Sequence, residues 1–286
     1  MTGPDQQDPQ HPQGALPPLA GETAAGDAAE RLRHGTVFGP QAAAYAEHRP
    51  DYPEAAVEWA LAPVAGRRPL RVLELGAGTG KLTGALARRA YTVVAVEPDL
   101  AMLAELRRTV PAVPALAGTA ERIPLRDTAV DAVVAGQAAH WFDLDLAVPE
   151  IVRVLRPGGV VAGLWNADDD RADWVAGLSA TAPGLANVPL SRWRERVGDR
   201  IAQRLAAAGG GFGPPQQAEF GHWQLRTARS LVATIATHST VLLMDPGERE
   251  DVLNRVRGYL AARPETSGGP FRLPLVTCAV RAVRTG

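Results

Sequence analysis

One cysteine, Cys278, and one lysine, Lys81, stand in a chain of 286 residues. A lone cysteine excludes an intramolecular disulfide and suits a reducing compartment, so a cytoplasmic protein is expected. No apolar run reaches the length of a membrane span. No basic stretch followed by an apolar one opens the sequence, so no secretory signal is expected. The formal net charge is −1, which argues against the basic face that a nucleic-acid partner requires. The near-exclusive use of arginine as the basic residue, with abundant Ala and Gly, reflects coding bias and is not read as a binding signal. Residues 1–33 lack any periodic apolar pattern and are rich in Pro, Gln, Gly and Ala; a segment of that composition cannot offset its ordering entropy, and a disordered tail is expected. Residues 34–286 are long enough for one α/β domain with an appendage.

What is present is a strand, a glycine turn and a helix in succession. Leu70-Arg71-Val72-Leu73-Glu74-Leu75 is a short apolar run of the kind found in buried strands. Lys81 to Arg89 carries Leu82, Ala85 and Leu86 on one helical face. Between them, Gly76-Ala77-Gly78-Thr79-Gly80 forms a tight turn whose backbone N–H groups can approach a ligand at a helix N-terminus. The dinucleotide fingerprint Gly-x-Gly-x-x-Gly is not met, because its third glycine position is Lys81. Glu74, two residues before the first glycine, would repel a pyrophosphate and attract a cation. A second acid, Glu97, ends the next strand, at the offset where a carboxylate takes the hydroxyls of a ribose. Ribose plus positive charge without phosphate describes S-adenosylmethionine.

At these residues the chain resembles the class I S-adenosylmethionine-dependent methyltransferases, and within them the small-molecule branch that includes trans-aconitate methyltransferase. The resemblance runs from about Thr36 to Asn166. It is carried by Phe38, Tyr45 and Arg49-Pro50-Asp51-Tyr52-Pro53, by Val72 to Lys81, and by Val96-Glu97-Pro98-Asp99 with Met102. Further on it is carried by Gly118-Thr119-Ala120-Glu121, by Asp131 to Phe142, and by Glu150 to Gly159. It implies a Rossmann-like doubly wound seven-stranded sheet, mostly parallel with the last strand antiparallel, and a helical insertion or lid. It also implies S-adenosyl-L-methionine as cofactor and a small-molecule acceptor whose methylated atom is oxygen (carboxylate or hydroxyl), nitrogen or carbon, with the trans-aconitate branch favouring oxygen. The cofactor residues implied are Glu74, Gly76, Ala77, Gly78, Thr79, Gly80, Glu97, Pro98, Met102, Thr119, Ala120, Glu121 and Gln137, with Tyr45 and Arg49 from a lid segment. Tyr52, His140, Trp141 and Trp165 are implied on the acceptor side. His140 could serve there as a general base, although a His beside an aromatic is also a common packing pair. No Asn/Asp-Pro-Pro-Tyr motif follows the fourth strand, which argues against nucleic-acid or amide nitrogen methylation of that type.

The remaining elements alternate as strands 70–75, 92–96, 113–117, 129–135 and 159–165 with helices 80–90, 99–109 and 145–155. Such alternation implies parallel strands with right-handed crossovers. Asp99 is expected to cap its helix. Pro149 is expected to delay the start of the helix it lies in, or to kink it. The Pro157-Gly158-Gly159 stretch reads as a turn, and Asp168-Asp169-Asp170 as a solvated loop. Residues 166–215 are expected to insert as helices covering the acceptor, with Trp165, Trp174 and Trp193 either shaping that pocket or packing in the core. A strand at Gln217–Leu225, helices at Ala228–Leu243 and Glu248–Ala261, and a last strand at Phe271–Val283 follow. Two rivals compete with the methyltransferase reading. One is an NAD-dependent oxidoreductase, disfavoured by the glycine spacing and Glu74. The other is a protein that binds S-adenosylmethionine without methylating.

Overall fold

In the computed structural model, residues 49–181, 188–207 and 211–286 are described. The expected tail at 1–33, Phe38, Tyr45 and the part of the expected lid segment that precedes Arg49 lie outside them. The apolar runs form β1 (Arg71–Leu75), β2 (Thr92–Glu97), β3 (Ala115–Ala117), β4 (Val130–Gly136), β5 (Leu155–Asp168), β6 (Gln216–Arg226) and β7 (Phe271–Val283). They pair in the order β3-β2-β1-β4-β5-β7-β6. β1 to β5 are mutually parallel, and β7 runs antiparallel to both β5 and β6. This is the expected doubly wound sheet. Its strand order reverses between β1 and β4, where an open crevice forms outside the strands' carboxyl ends.

Helices α1 (Glu54–Leu61), α2 (Lys81–Ala87), α3 (Leu100–Thr109) and α4 (Leu144–Val154) connect or flank the parallel strands. One apolar layer joins Leu61, Val72, Leu82, Leu86, Leu103 and Leu106; the opposite layer joins Leu73, Leu75, Val133, Ile151, Leu155 and Trp165. Strands buried on both faces explain why their sequences read as continuous apolar runs rather than alternations.

Several local expectations are corrected. Pro149 sits inside α4 without delaying it, because Asp143 caps the helix by accepting from the N–H of Asp145 at 3.2 Å and so fixes the start ahead of the proline. Pro157-Gly158-Gly159 is an irregularity within β5 rather than a turn before it: Val130 pairs with Leu155 and Ala132 with Val160. β5 then continues through Asn166 to Asp168, and Asp168 is buried rather than solvated.

The connection after β5 holds α5 (Asp173–Thr181), a helical stretch through Leu190 and Trp193, and α6 (Asp199–Ala206). α5 packs through Trp174, Val175 and Leu178 onto α7 (Ala228–Ala236) and α8 (Pro246–Ala261), which lie between β6 and β7. Trp174 meets Phe271 edge-on with ring centroids 5.6 Å apart. Trp193 lies 6.0 Å from Trp165 in the layer beneath the sheet. Of the two readings for Trp165, Trp174 and Trp193, packing in the core is the one seen.

Candidate active site

A cavity of about 350 Å³ opens at the carboxyl ends of β1, β2, β4 and β5. The glycine turn makes its floor. Gly76, Gly78 and Gly80 all have positive φ, and a Cβ at Gly76 would lie 2.6 Å from the Ala138 Cβ, so a bare backbone is required there. The turn is fastened to β2, since Ala77 N–H donates to Val96 O at 3.1 Å and Gly78 N–H to Glu97 Oε2 at 2.8 Å. Glu97 takes a second bond, 2.9 Å, from the N–H of Asp99. Asp99 caps α3 as expected, accepting from Ala101 and Met102 N–H, which sets Met102 against the cavity.

The charge in this cavity is unusual for its burial. Glu74 and Glu97 are 1% and 5% exposed. Burial pushes Glu74 up to about 8, against the Thr83 hydroxyl that donates to it at 2.6 Å, with Glu97 adding repulsion. Burial likewise pushes Glu97 up to about 7, against its two backbone bonds. Two buried carboxyls that favour the protonated form are what a site for a cationic ligand looks like when the charge is missing. The hydroxyl of Thr79, also buried and also in the lining, has no hydrogen-bond partner among the described residues. An orphan donor, paired acids and a nucleoside-sized volume fit S-adenosylmethionine.

Of the residues expected at the cofactor, Glu74, Gly76, Ala77, Gly78, Thr79, Glu97, Pro98, Met102, Thr119, Ala120, Glu121, Gln137 and Arg49 line this cavity together, as do Tyr52 and Trp141. Gly80 does not; it turns the chain into α2, and a Cβ there would meet Leu106 and Val110 at 3.2 Å. Tyr45 is outside the described residues. Trp165 is 3% exposed within the core. His140 is not in the lining either. Its Nδ1 accepts from the indole N–H of Trp165 at 3.3 Å, and its ring rests on Trp141 at 4.8 Å. Accepting at Nδ1 leaves the neutral ring's proton on Nε2, a poor arrangement for a base. Asp131 lies at the opposite end of β4. Burial works against its charge, but bonds from Arg67 and the Arg71 N–H, with Arg156, outweigh this and hold its carboxyl low. Glu121 receives the N–H of Asp143 at 2.8 Å and so positions the start of α4.

A model of the methyltransferase domain matches residues 73–163, which spans the glycine turn and both acids. An uncharacterized methyltransferase of Mycobacterium tuberculosis (strain ATCC 25618 / H37Rv) is 40% identical over 246 residues, 86% of this chain and 94% of the relative. This chain is an S-adenosylmethionine-dependent methyltransferase. The methyltransferase also shares its fold with a candidate type II methyltransferase from Anaeromyxobacter dehalogenans, with a TM-score of 0.59, 28% identity, and 82% and 97% of the two chains covered. A malonyl-[acyl-carrier protein] O-methyltransferase of Methylococcus capsulatus is 41% identical over 103 residues, 34% of this chain and 38% of that protein.

Sequence reasoning missed Lys81, Leu82, Phe142, Asp143, Leu146 and Asn166, all of which line the methyltransferase's cavity. Phe142 ends the segment Asp131 to Phe142 already singled out, though it was given no role, and Asp143 could have been found by extending that segment by one residue. Asn166 had a weaker signal: a polar residue at the end of the apolar run Val160 to Trp165.

Proposed function

We propose that this methyltransferase methylates an oxygen, most simply a carboxylate oxygen, of a small-molecule acceptor. The observation that carries the reading is the placement of His140 outside the cavity lining with Nδ1 engaged by Trp165. An ionised acceptor oxygen has no proton to lose, so a site in which His140 does not act as a base can serve it. When bound, S-adenosylmethionine supplies a methyl group already made electrophilic by a sulfonium. The protein's share is alignment and exclusion of water. Glu74 balances the cofactor's positive charge, Glu97 takes its ribose hydroxyls, and Thr119, Ala120 and Glu121 border its base. Gln137, Arg49, Tyr52 and Trp141 close the cavity toward the acceptor. His140 props Trp141 through ring contact and is a positioning residue. The O-methylating relative, alike over part of its length, supports oxygen as the acceptor atom.

The test is transfer from S-adenosylmethionine labelled in its methyl group to a panel of small carboxylic acids, alcohols and amines. Methyl esters release labelled methanol in alkali; ethers, amines and carbon-bound methyl groups do not. Alkali-labile label supports the reading; alkali-stable label on an alcohol overturns the carboxylate and keeps oxygen, and alkali-stable label on an amine or on carbon overturns oxygen as well.

A further inference from the structure

The segment Arg49 to Pro53 forms one wall of the cavity through Arg49, Pro50 and Tyr52 and has no regular secondary structure. Pro50 and Pro53 have no N–H to give, so the segment's carbonyls carry much of its backbone attachment. Two of them face one side chain. Asn166 Nδ2 donates to Pro50 O at 3.4 Å and to Asp51 O at 3.2 Å. Asn166 is 3% exposed and lies at the cavity end of β5.

An amide has a donor end and an acceptor end, and only one orientation serves two carbonyls. Here the other end receives a donor. Thr277 Oγ1, on the neighbouring β7, donates to Asn166 Oδ1 at 2.5 Å. His222 Nε2, one strand further on β6, lies 3.3 Å from the same Oδ1 and 3.1 Å from Thr277 Oγ1. Gln137 Nε2 donates to Asn166 O at 3.0 Å, joining the end of β4 to the same residue. Beyond the segment, Lys81 reaches back from α2 to the Asp51 carboxylate at 3.4 Å. Tyr52 packs so tightly on Gly136 that a Cβ there would come within 2.6 Å of its hydroxyl oxygen.

We infer that Asn166 is a positioning residue whose side-chain amide clasps the segment 50–52 as a wall of the cofactor cavity, with Thr277 and His222 acting through it by fixing which end of the amide faces the segment. The inference rests on that cavity being the cofactor site. Asn166→Asp is nearly isosteric but replaces the donor with an acceptor opposite two carbonyl oxygens. Thr277→Val keeps the amide and removes the donor that orients it; Thr277→Ser keeps that donor.

The experiment measures the dissociation constant of S-adenosylhomocysteine by calorimetry for the full-length wild type, N166D, T277V and T277S, beside the ligand-free melting temperature of each. Loss of one or two hydrogen bonds that hold a wall predicts about tenfold weaker binding for N166D and about threefold for T277V. T277S is expected within about twofold of the wild type, a rescue that packing alone does not give to T277V. Equal affinity of T277V and T277S overturns the inference, and that pair decides the matter even if N166D does not fold. Failure of the wild type to bind overturns both the cavity assignment and the clasp, whereas wild-type binding with no difference between T277V and T277S overturns the clasp alone.

Discussion

Cofactor affinity should rise with pH across the neutral range, because Glu74 must ionise to balance the cofactor's positive charge and Glu97 to accept from its ribose hydroxyls. Glu74 stands at about 8 and Glu97 at about 7 in the ligand-free protein. Each unit of pH below a group's pKa lowers its ionised fraction tenfold, which is about 1.4 kcal/mol. From about pH 8 down to about pH 6, Glu74 alone should weaken S-adenosylmethionine binding on the order of a hundredfold, with Glu97 adding up to about tenfold. The ligand-free protein should respond in the opposite sense. Both carboxyls are raised by folding, so the stability they contribute is full below about pH 4.5 and is lost as pH rises through about 7 and then about 8. The assay is calorimetric titration at several pH values, each in two buffers of different ionisation enthalpy, which reads the protons released. Glu74→Gln should remove about one proton from that release, flatten the slope and raise the ligand-free melting temperature at high pH. Protons contributed by the cofactor's own ammonium remain in the variant and cancel in the comparison. Affinity independent of pH in the wild type, or an identical slope in E74Q, would refute the reasoning.

Three further outcomes are expected. Gly76→Ala should weaken S-adenosylhomocysteine binding far more than Gly78→Ala, because both have positive φ but only a Cβ at 76 meets Ala138, at 2.6 Å; strain alone at 78 amounts to about 1–2 kcal/mol, and equal losses would count against the close approach. His140→Ala should lower turnover less than about tenfold, against the 10²–10⁴-fold typical of a lost general base; a larger fall in kcat at unchanged KM would restore the base assignment. Asp131→Asn should lower stability by about 1–3 kcal/mol at neutral pH by weakening the bonds from Arg67, Arg71 and Arg156. Because its pKa is held low, the charge of Asp131 stabilises above the ordinary aspartate range and that contribution fades as pH falls through its folded value, so the gap in denaturant midpoint between D131N and wild type should narrow in acid.

Legibility in the sequence followed the range of the interactions involved. The span of β7, the cap at Asp99 and the glycine turn were all readable, since each depends on period, on a residue two or three positions away, or on a local backbone need. Glu74 and Glu97 were readable because the fold places the ends of neighbouring parallel strands side by side. Asn166 was not, because its partners Thr277 and Pro50 lie 111 and 116 positions away. Trp165 and His140 looked like pocket residues because one lies near the end of β5 and the other just after β4, at the crevice; only the packing of Trp193 beneath the sheet shows that Trp165 is covered. The proline in α4 misled in another way: one missing backbone bond is a smaller effect than a well-placed cap and the burial of Ala147, Val148, Ile151 and Val154.

The position of β7 also bears on how the chain is made. Val276, Cys278, Val280 and Ala282 enter one apolar layer, Ala279 the other, and Phe271, Leu273 and Leu275 the helical cluster of α5, α7 and α8. β6 pairs with β7 and with no other strand among the described residues. During synthesis from the N-terminal side, the cofactor half through β5 has all its parallel partners early. β6 and the three helices must wait, unpaired and partly apolar, until the strand that joins all three cores has left the ribosome. Closure of this side of the sheet therefore waits for β7, and until then the unpaired edge of β6 is exposed to association with other chains.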